Sequence, residues 1–236
     1  MPLSQPQVHV ALALLASVAG GCRREAAPAE DMALATRELS FGDITQLGPH
    51  RLDAAIARAL IFDGKRTEEG EEQLQLVWSS WDDFQFARRR EGVVVSQVQV
   101  AGGVARALGA DGALHPVLDV EPYRVELRMA WDVWGIGLGV FQRAMRFERL
   151  AEGDLEGRAT TQYGVSLDPE AQLGSGRTVP LDLSGTVWID DETRVRLLGE
   201  VTGHWHPHGN PQLVHEVKLA LARSDFGLAG PAGAAP

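Results

Sequence analysis

The residues of this 236-residue chain best suited to chemistry are histidines near its end. His204-Trp205-His206-Pro207-His208 is followed closely by His215-Glu216. On a strand, alternate side chains share a face, so His204 and His206 would point together, as H-x-H pairs do when they ligate zinc. His215 or Glu216 could complete such a site from a partner strand. Pro207, Gly209, Asn210 and Pro211 are turn formers, however, and they make the cluster the exposed end of a hairpin. The turn reading carries more weight, and neither a metal nor a cofactor is implied. Other catalytic patterns are missing. Gly-x-Ser-x-Gly does not occur, and Gly174-Ser175-Gly176 lies in a Gly-rich loop without a strand-to-helix elbow. Gly135-Ile136-Gly137-Leu138-Gly139 lacks the spacing and βαβ context of a dinucleotide fingerprint. The acidic pairs Asp82-Asp83 and Asp190-Asp191 sit in or beside predicted turns. This pattern points to a binding protein rather than an enzyme.

The single cysteine, Cys22, has its own chemistry. It ends an apolar run, Val8 to Gly21, and is followed by Arg23-Arg24-Glu25. That run fits the apolar core of a secretory signal and is too short for a membrane span. Ala19-Gly20-Gly21-Cys22 resembles the lipobox of bacterial lipoproteins, with Ala19 where that motif usually has Leu. The resemblance implies cleavage before Cys22, a diacylglyceryl thioether on its sulfur and acylation of the new amino terminus. Two or more chains hold a protein stably on a bilayer, where one gives marginal binding. Ala19-x-Gly21 also fits ordinary signal cleavage, which would leave a free thiol, and an uncleaved apolar segment is the third reading.

Composition narrows the partners. All charged residues lie beyond Cys22, so the exported chain keeps the net charge of −10. That acidity argues against a nucleic-acid backbone as partner, because phosphate binding needs clustered Lys and Arg. The longest basic run, Arg88-Arg89-Arg90, reads as a solvated strand end. With one cysteine no internal disulfide can form, so an exported domain must rely on its core.

Along the chain, 1–21 is read as signal peptide, 22–36 as lipidated Cys22 and an Ala/Glu/Pro-rich tether, 37–226 as one domain, and 227–236 as a disordered small-residue tail. Leu52, Ile56 and Leu60, recurring at i, i+4 and i+8, predict a helix over about 50–61. From about 71 the pattern alternates. Leu74, Leu76, Trp78, Phe84 and Phe86 share one parity, and Val94, Val98 and Val100 follow the Glu91-Gly92 turn. Over 122–145 the periodicity fits both a strand and a helix, and glycines at 135, 137 and 139 weaken either. Strands are then expected over 146–152, 159–167, 179–183, 185–190, 194–206 and 212–223. Strands at this spacing without long helices between them indicate an antiparallel sheet that curls on itself.

Ser184-Gly185-Thr186-Val187-Trp188-Ile189-Asp190, then 194–203, Val217-Lys218-Leu219-Ala220-Leu221 and Ser224-Asp225-Phe226-Gly227 resemble in order the last strands of the LolA and LppX/LprG group of bacterial envelope lipoproteins and carriers. Glu156-Gly157-Arg158-Ala159 to Tyr163-Gly164-Val165 is similar to that group's midway turn and strand. The resemblance implies a mainly β (α+β) fold: one strongly curved antiparallel β half-barrel with covering helix or helices, 122–145 being helical. It also implies a cavity for a lipid or other amphiphile. Candidate lining residues are Trp78, Phe84, Phe86, Leu127, Trp131, Trp134, Leu138 and Trp188, which could equally pack as core. The expected protein is a lipid-anchored envelope lipoprotein facing the periplasm, placed at the outer membrane. Its partners would be the membrane, an amphiphile and other envelope proteins. A scaffolding lipoprotein without ligand is the alternative, and a zinc-dependent enzyme using His204 and His206 a more distant one.

Overall fold

The computed structural model of the chain describes residues 41–168 and 177–227, without the side chains of Phe41, Met129 and Ala130. The signal peptide, Cys22, the tether, Gly174-Ser175-Gly176 and residues 228–236 of the tail lie outside the described residues. A short helix α1 (Phe41–Thr45) leads into β1 (His50–Phe62), β2 (Lys65–Ser80), β3 (Asp83–Arg90), β4 (Val93–Ala101), β5 (Val104–Leu108) and β6 (Leu114–Val117). Helices α2 (Glu121–Trp131) and α3 (Val133–Leu138) and a 3₁₀ segment (Gly139–Ala144) follow. The chain closes with β7 (Met145–Leu155), β8 (Arg158–Leu167), β9 (Thr178–Asp190), β10 (Arg196–Pro207) and β11 (Leu213–Ser224).

These strands make one 11-stranded antiparallel sheet in the order β6-β5-β4-β3-β2-β1-β11-β10-β9-β8-β7. The domain's first and last strands pair at its centre, and the edges β6 and β7 are joined by residues 118–144. Two-residue turns set several hairpins: Asp63-Gly64, Glu91-Gly92, Gly102-Gly103 and Glu156-Gly157 have positive φ at both positions. Positive φ at both central residues matches the right-handed twist of the strands they connect.

Alternation sorts each strand into an inner and an outer face. Leu52, Ala54 and Ile56, Leu74, Leu76 and Trp78, Phe84 and Phe86, Val98 and Val100, and Val217, Leu219 and Leu221 are all buried. The helical crossing lies against this inner face. Glu126 of α2 accepts from Ser96 Oγ on β4, the Trp131 ring lies 4.6 Å from that of Trp78 on β2, and Phe141 closes on Gly203 and Leu183 of β10 and β9. In a flat sheet β4 and β9 would lie about 29 Å apart, six strand spacings. Trp131 and Trp134, three residues apart, also reach Trp78 on β2 and Phe147 on β7, again six spacings apart, so the sheet is strongly curved, and it remains open because β6 and β7 do not pair.

The helix expected over about 50–61 is strand β1. Its apolar positions Leu52, Ile56 and Leu60 are four apart, which is also a multiple of the strand period. Ala54 fills the intervening inner position, and β1 is hydrogen-bonded on both sides, to β2 and β11. The segments 179–183 and 185–190 are one strand, β9, and β5 and β6 are additional strands that the sequence pattern did not reveal. The open choice over 122–145 resolves as helix. Leu127 and Trp131 are buried while Val125 is 52 % exposed, which a strand with Val125 on the face of Leu127 would not permit. Asp132 begins α3, its carboxylate accepting from Gly135 N at 3.1 Å.

Charge is also buried in the interior. Arg223 on β11 donates to the carbonyls of Arg196 and, at 3.4 Å, Trp131, tying β11 to β10 and to the end of α2. Arg196 stacks 4.9 Å over Trp134. Burial pushes the pKa of both guanidinium groups down to about 10, opposed at Arg196 by Asp132 and reinforced at Arg223 by Arg196. His50 lies near Arg223, 2 % exposed, its Nδ1–H donating to Gly48 O at 2.9 Å. Burial, then the charge of Arg223, lowers its pKa to about 4.

His50 is neutral when folded and must acquire charge in acid, so its contribution is complete above the ordinary histidine pKa. It is lost as the pH falls from about 6.5 through about 4. Urea unfolding should show His50→Leu removing an acid-dependent loss of up to about 3 kcal/mol. A Cβ at Gly203 would lie 2.6 Å from the Phe141 ring. Gly203→Val should therefore cost about 1–3 kcal/mol through overpacking, read as a lower thermal midpoint.

Candidate ligand groove

The interior is filled at one end and open at the other. Trp78, Phe84, Phe86, Leu127, Trp131, Trp134 and Leu138 all belong to the buried core. Their rings pack on one another: Trp78 lies 6.0 Å from Phe84, and Trp81 lies 5.0 Å from Trp78 and 5.5 Å from Trp131. Trp188 is on the other side of the sheet. Val187 and Ile189 are buried on the inner face, so strand alternation sends Trp188 outward, where its ring covers Gly153. The continuous run Val187-Trp188-Ile189 concealed that parity. None of these eight candidates lines the groove described next.

That groove, about 480 Å³, opens between the inner face of the sheet and the helical crossing. One wall is Arg58 and Leu60 of β1, Glu68 and Gly70 of β2, Val217 and His215 of β11 and Trp205 of β10. The other is Gly135-Ile136-Gly137, Gly139 and Val140. The glycines account for the space. A side chain at Gly135 would strike the Asp132 carboxylate that caps α3, and one at Gly137 would meet Leu219 at ordinary contact distance, 3.5 Å. At Gly139 an added Cβ meets nothing within 4 Å. The crossing thus approaches β11 closely at Gly137 and leaves room at Gly139.

The wall is mixed in character. Leu60, Val217, Ile136 and Val140 are aliphatic, and the Trp205 and His215 rings stack 3.9 Å apart at 2°. Burial lowers the pKa of His215, favouring its neutral ring. Glu216 at the rim is engaged by Arg66 at 2.8 Å, His204 at 3.1 Å and Lys218 at 3.5 Å, and Arg66 also holds Glu69 at 3.1 Å. Sequence reasoning passed over this site because it weighed large aromatics. The available signal was the glycine spacing at 135, 137 and 139, read there only as weakening an element.

His204 and His206 share the outer face, as alternation requires, with Trp205 turned inward. His204 Nδ1 lies 2.7 Å from Asp182 and Nε2 3.1 Å from Glu216. Carboxylates only accept, so both ring nitrogens carry protons and the ring is an imidazolium linking β9, β10 and β11. His206 Nδ1 donates instead to Pro207 O at 2.8 Å. Among the described residues no three His, Cys, Asp or Glu side chains are grouped to hold a metal ion. The acidic pair Asp190-Asp191 is structural: Asp190 takes Arg158 and Thr193, and Asp191 takes Thr161.

No family model and no curated protein matches the chain. Among solved structures it is similar to a LolA superfamily protein from Nitrosomonas europaea, at 8 % identity and TM-score 0.26, covering 82 % of this chain and 96 % of that one. It is similar to lipoprotein LppX from Mycobacterium tuberculosis at 11 % identity and TM-score 0.29, covering 85 % and 98 %. A DUF1329 family protein from Desulfovibrio piger follows at 12 % identity and TM-score 0.25, covering 83 % and 92 %. The first two carry the names of the group that the late strands resemble. At these TM-scores the superpositions carry no argument; the curved, open antiparallel sheet with helices on its inner face stands on the strand order and contacts above.

The imidazolium makes a pH prediction. Partial burial lowers the His204 pKa, but the bonds to Asp182 and Glu216 outweigh it and the net shift is upward. A raised histidine pKa adds stability that is complete below about 6.5 and lost as the pH rises through the folded value. Glu216 behaves oppositely. Burial raises its pKa, but His204, Lys218 and Arg66 carry the net shift below the ordinary 4.5, so its share is lost in acid. Asp182 is 61 % exposed, so solvent screening limits the His204 contribution to about 0.5–1 kcal/mol. Thermal melts should show His204→Gln lowering the midpoint at pH 5.5 and having little effect at pH 8.5.

Proposed function

We propose that this chain is an envelope lipoprotein, anchored through Cys22, that holds one amphiphile non-covalently in the groove between β1, β11 and the Gly135–Val140 segment. The groove carries the reading. Its volume, about 480 Å³, lies within the ~300–1,000 Å³ of small-ligand sites, and it combines aliphatic floor, stacked rings and a few polar groups at the rim. Binding would draw on burial of apolar ligand surface, at about 25 cal/mol per Å² before ordering costs. The lipobox-like Cys22 supports placement at a membrane facing the periplasm, where such ligands are at hand. Burial of Trp78, Trp131 and their neighbours favours a second reading, a scaffolding lipoprotein without ligand. The groove is what separates the two.

Titration with the neutral probe N-phenyl-1-naphthylamine should give a saturable rise in fluorescence. Gly139→Phe, which adds a ring at a groove-lining position where a Cβ meets no atom within 4 Å, should weaken that binding at least tenfold with the circular dichroism spectrum unchanged. A probe that does not bind, or binds the variant equally, supports the scaffold instead. Radioactive palmitate fed to producing cells should label the wild-type chain and leave Cys22→Ser unlabelled; an unlabelled wild type removes the anchor.

A further inference from the structure

The charged groups along the groove are unequally engaged, and this bears on which amphiphile it takes. Glu216 is occupied by Arg66, His204 and Lys218, and Glu69 by Arg66. Arg58 is different. Its side chain is 46 % exposed, on the inner face of β1 beside the groove. Its nearest acceptors are Ile136 O at 3.5 Å and Glu72 at 3.9 Å, the second beyond hydrogen-bond reach and itself shared with Arg88 at 3.6 Å. A guanidinium has five N–H donors in a planar fork that matches a carboxylate or phosphate bidentately. Here that fork faces space next to Ile136, Val217 and Leu60. Size gives a second guide. At about 30 Å³ per water-sized atom group, the roughly 480 Å³ groove holds on the order of sixteen non-hydrogen atoms, a match to one acyl chain with a small head.

Resting on the groove reading above, we infer that the site selects a single-chain amphiphile with an anionic head, carboxylate or phosphate, seated on Arg58 with its chain along Leu60, Ile136, Val140 and Val217. Arg58 is then the specificity-determining residue. Glu68, exposed at the rim, is the group that would receive a cationic head instead.

The experiment is displacement of N-phenyl-1-naphthylamine from the full chain by dodecanoate, dodecyl phosphate, dodecanol and dodecyltrimethylammonium, each below its micelle concentration. One or both anions should displace the probe at concentrations about tenfold or more below those of dodecanol and the cation; which anion is stronger tells carboxylate from phosphate. Arg58→Gln should bring the anions to the level of dodecanol and leave dodecanol unchanged, and Arg58→Lys should restore part of the difference. Equal displacement by all four, or a preference for the cation, overturns the inference while leaving the groove reading standing. That comparison uses the wild type, so it does not depend on any variant folding. If nothing displaces the probe, or Gly139→Phe binds it as the wild type does, the groove reading itself has failed.

Discussion

An antiparallel sheet with one apolar face must have that face covered, and here the crossing between its edge strands does so, joined by Ile44 and Leu47. Every strand connection except one joins strands that are neighbours in the sheet. The exception runs from edge strand β6 to edge strand β7, and its helices lie in the concavity that the curving sheet creates. Removing large inner side chains such as Trp78, Phe84 and Leu219 from water is the dominant favourable term available, because no disulfide can assist. The crossing is therefore both the lid of the fold and part of its core.

How that crossing is composed decides where the interior is solid. Toward α2, Trp131 meets Trp78 of β2 and Trp81 of the following turn, Trp134 meets Phe147 of β7, and Arg196 and Arg223 fasten helix ends to β10 and β11 through a ring face and backbone carbonyls. Beyond Trp134 glycines alternate with Ile136 and Leu138, so only Leu138 and, further on, Phe141 still bring bulk into the core. One glycine serves the Asp132 cap, one allows close approach to Leu219, and one leaves a gap. The groove is the consequence of running out of bulk on one side of an otherwise filled space.

The strands that border the groove are cross-linked on their outer face by Asp182, His204, Glu216 and Arg66. Glu216 therefore belongs to both faces of the argument: it closes the outer ladder of charges and sits at the groove rim. With its carboxylate already saturated by cations, the polarity left to the groove is that of Arg58 and, at the rim, Glu68. The electrostatics of the site are thus set by what the outer network consumes.

Much of the architecture is legible residue by residue. Alternation in β2, β3, β4 and β8 to β11 and the X-Gly turns follow from local sequence, because a strand has a fixed period and a hairpin turn demands specific residues. Local sequence also places His204 and His206 on one face. Two things it could not decide. The spacing of Leu52, Ile56 and Leu60 is a multiple of both periods, and only pairing with β2 and β11 makes that segment a strand. Whether Trp131 fills space or borders it depends on which side chains arrive from β2, β10 and β11, which are remote in sequence. A cavity is defined by what is missing between such elements, so the composition of any single segment cannot show it; the curvature of the sheet and the glycines facing it did.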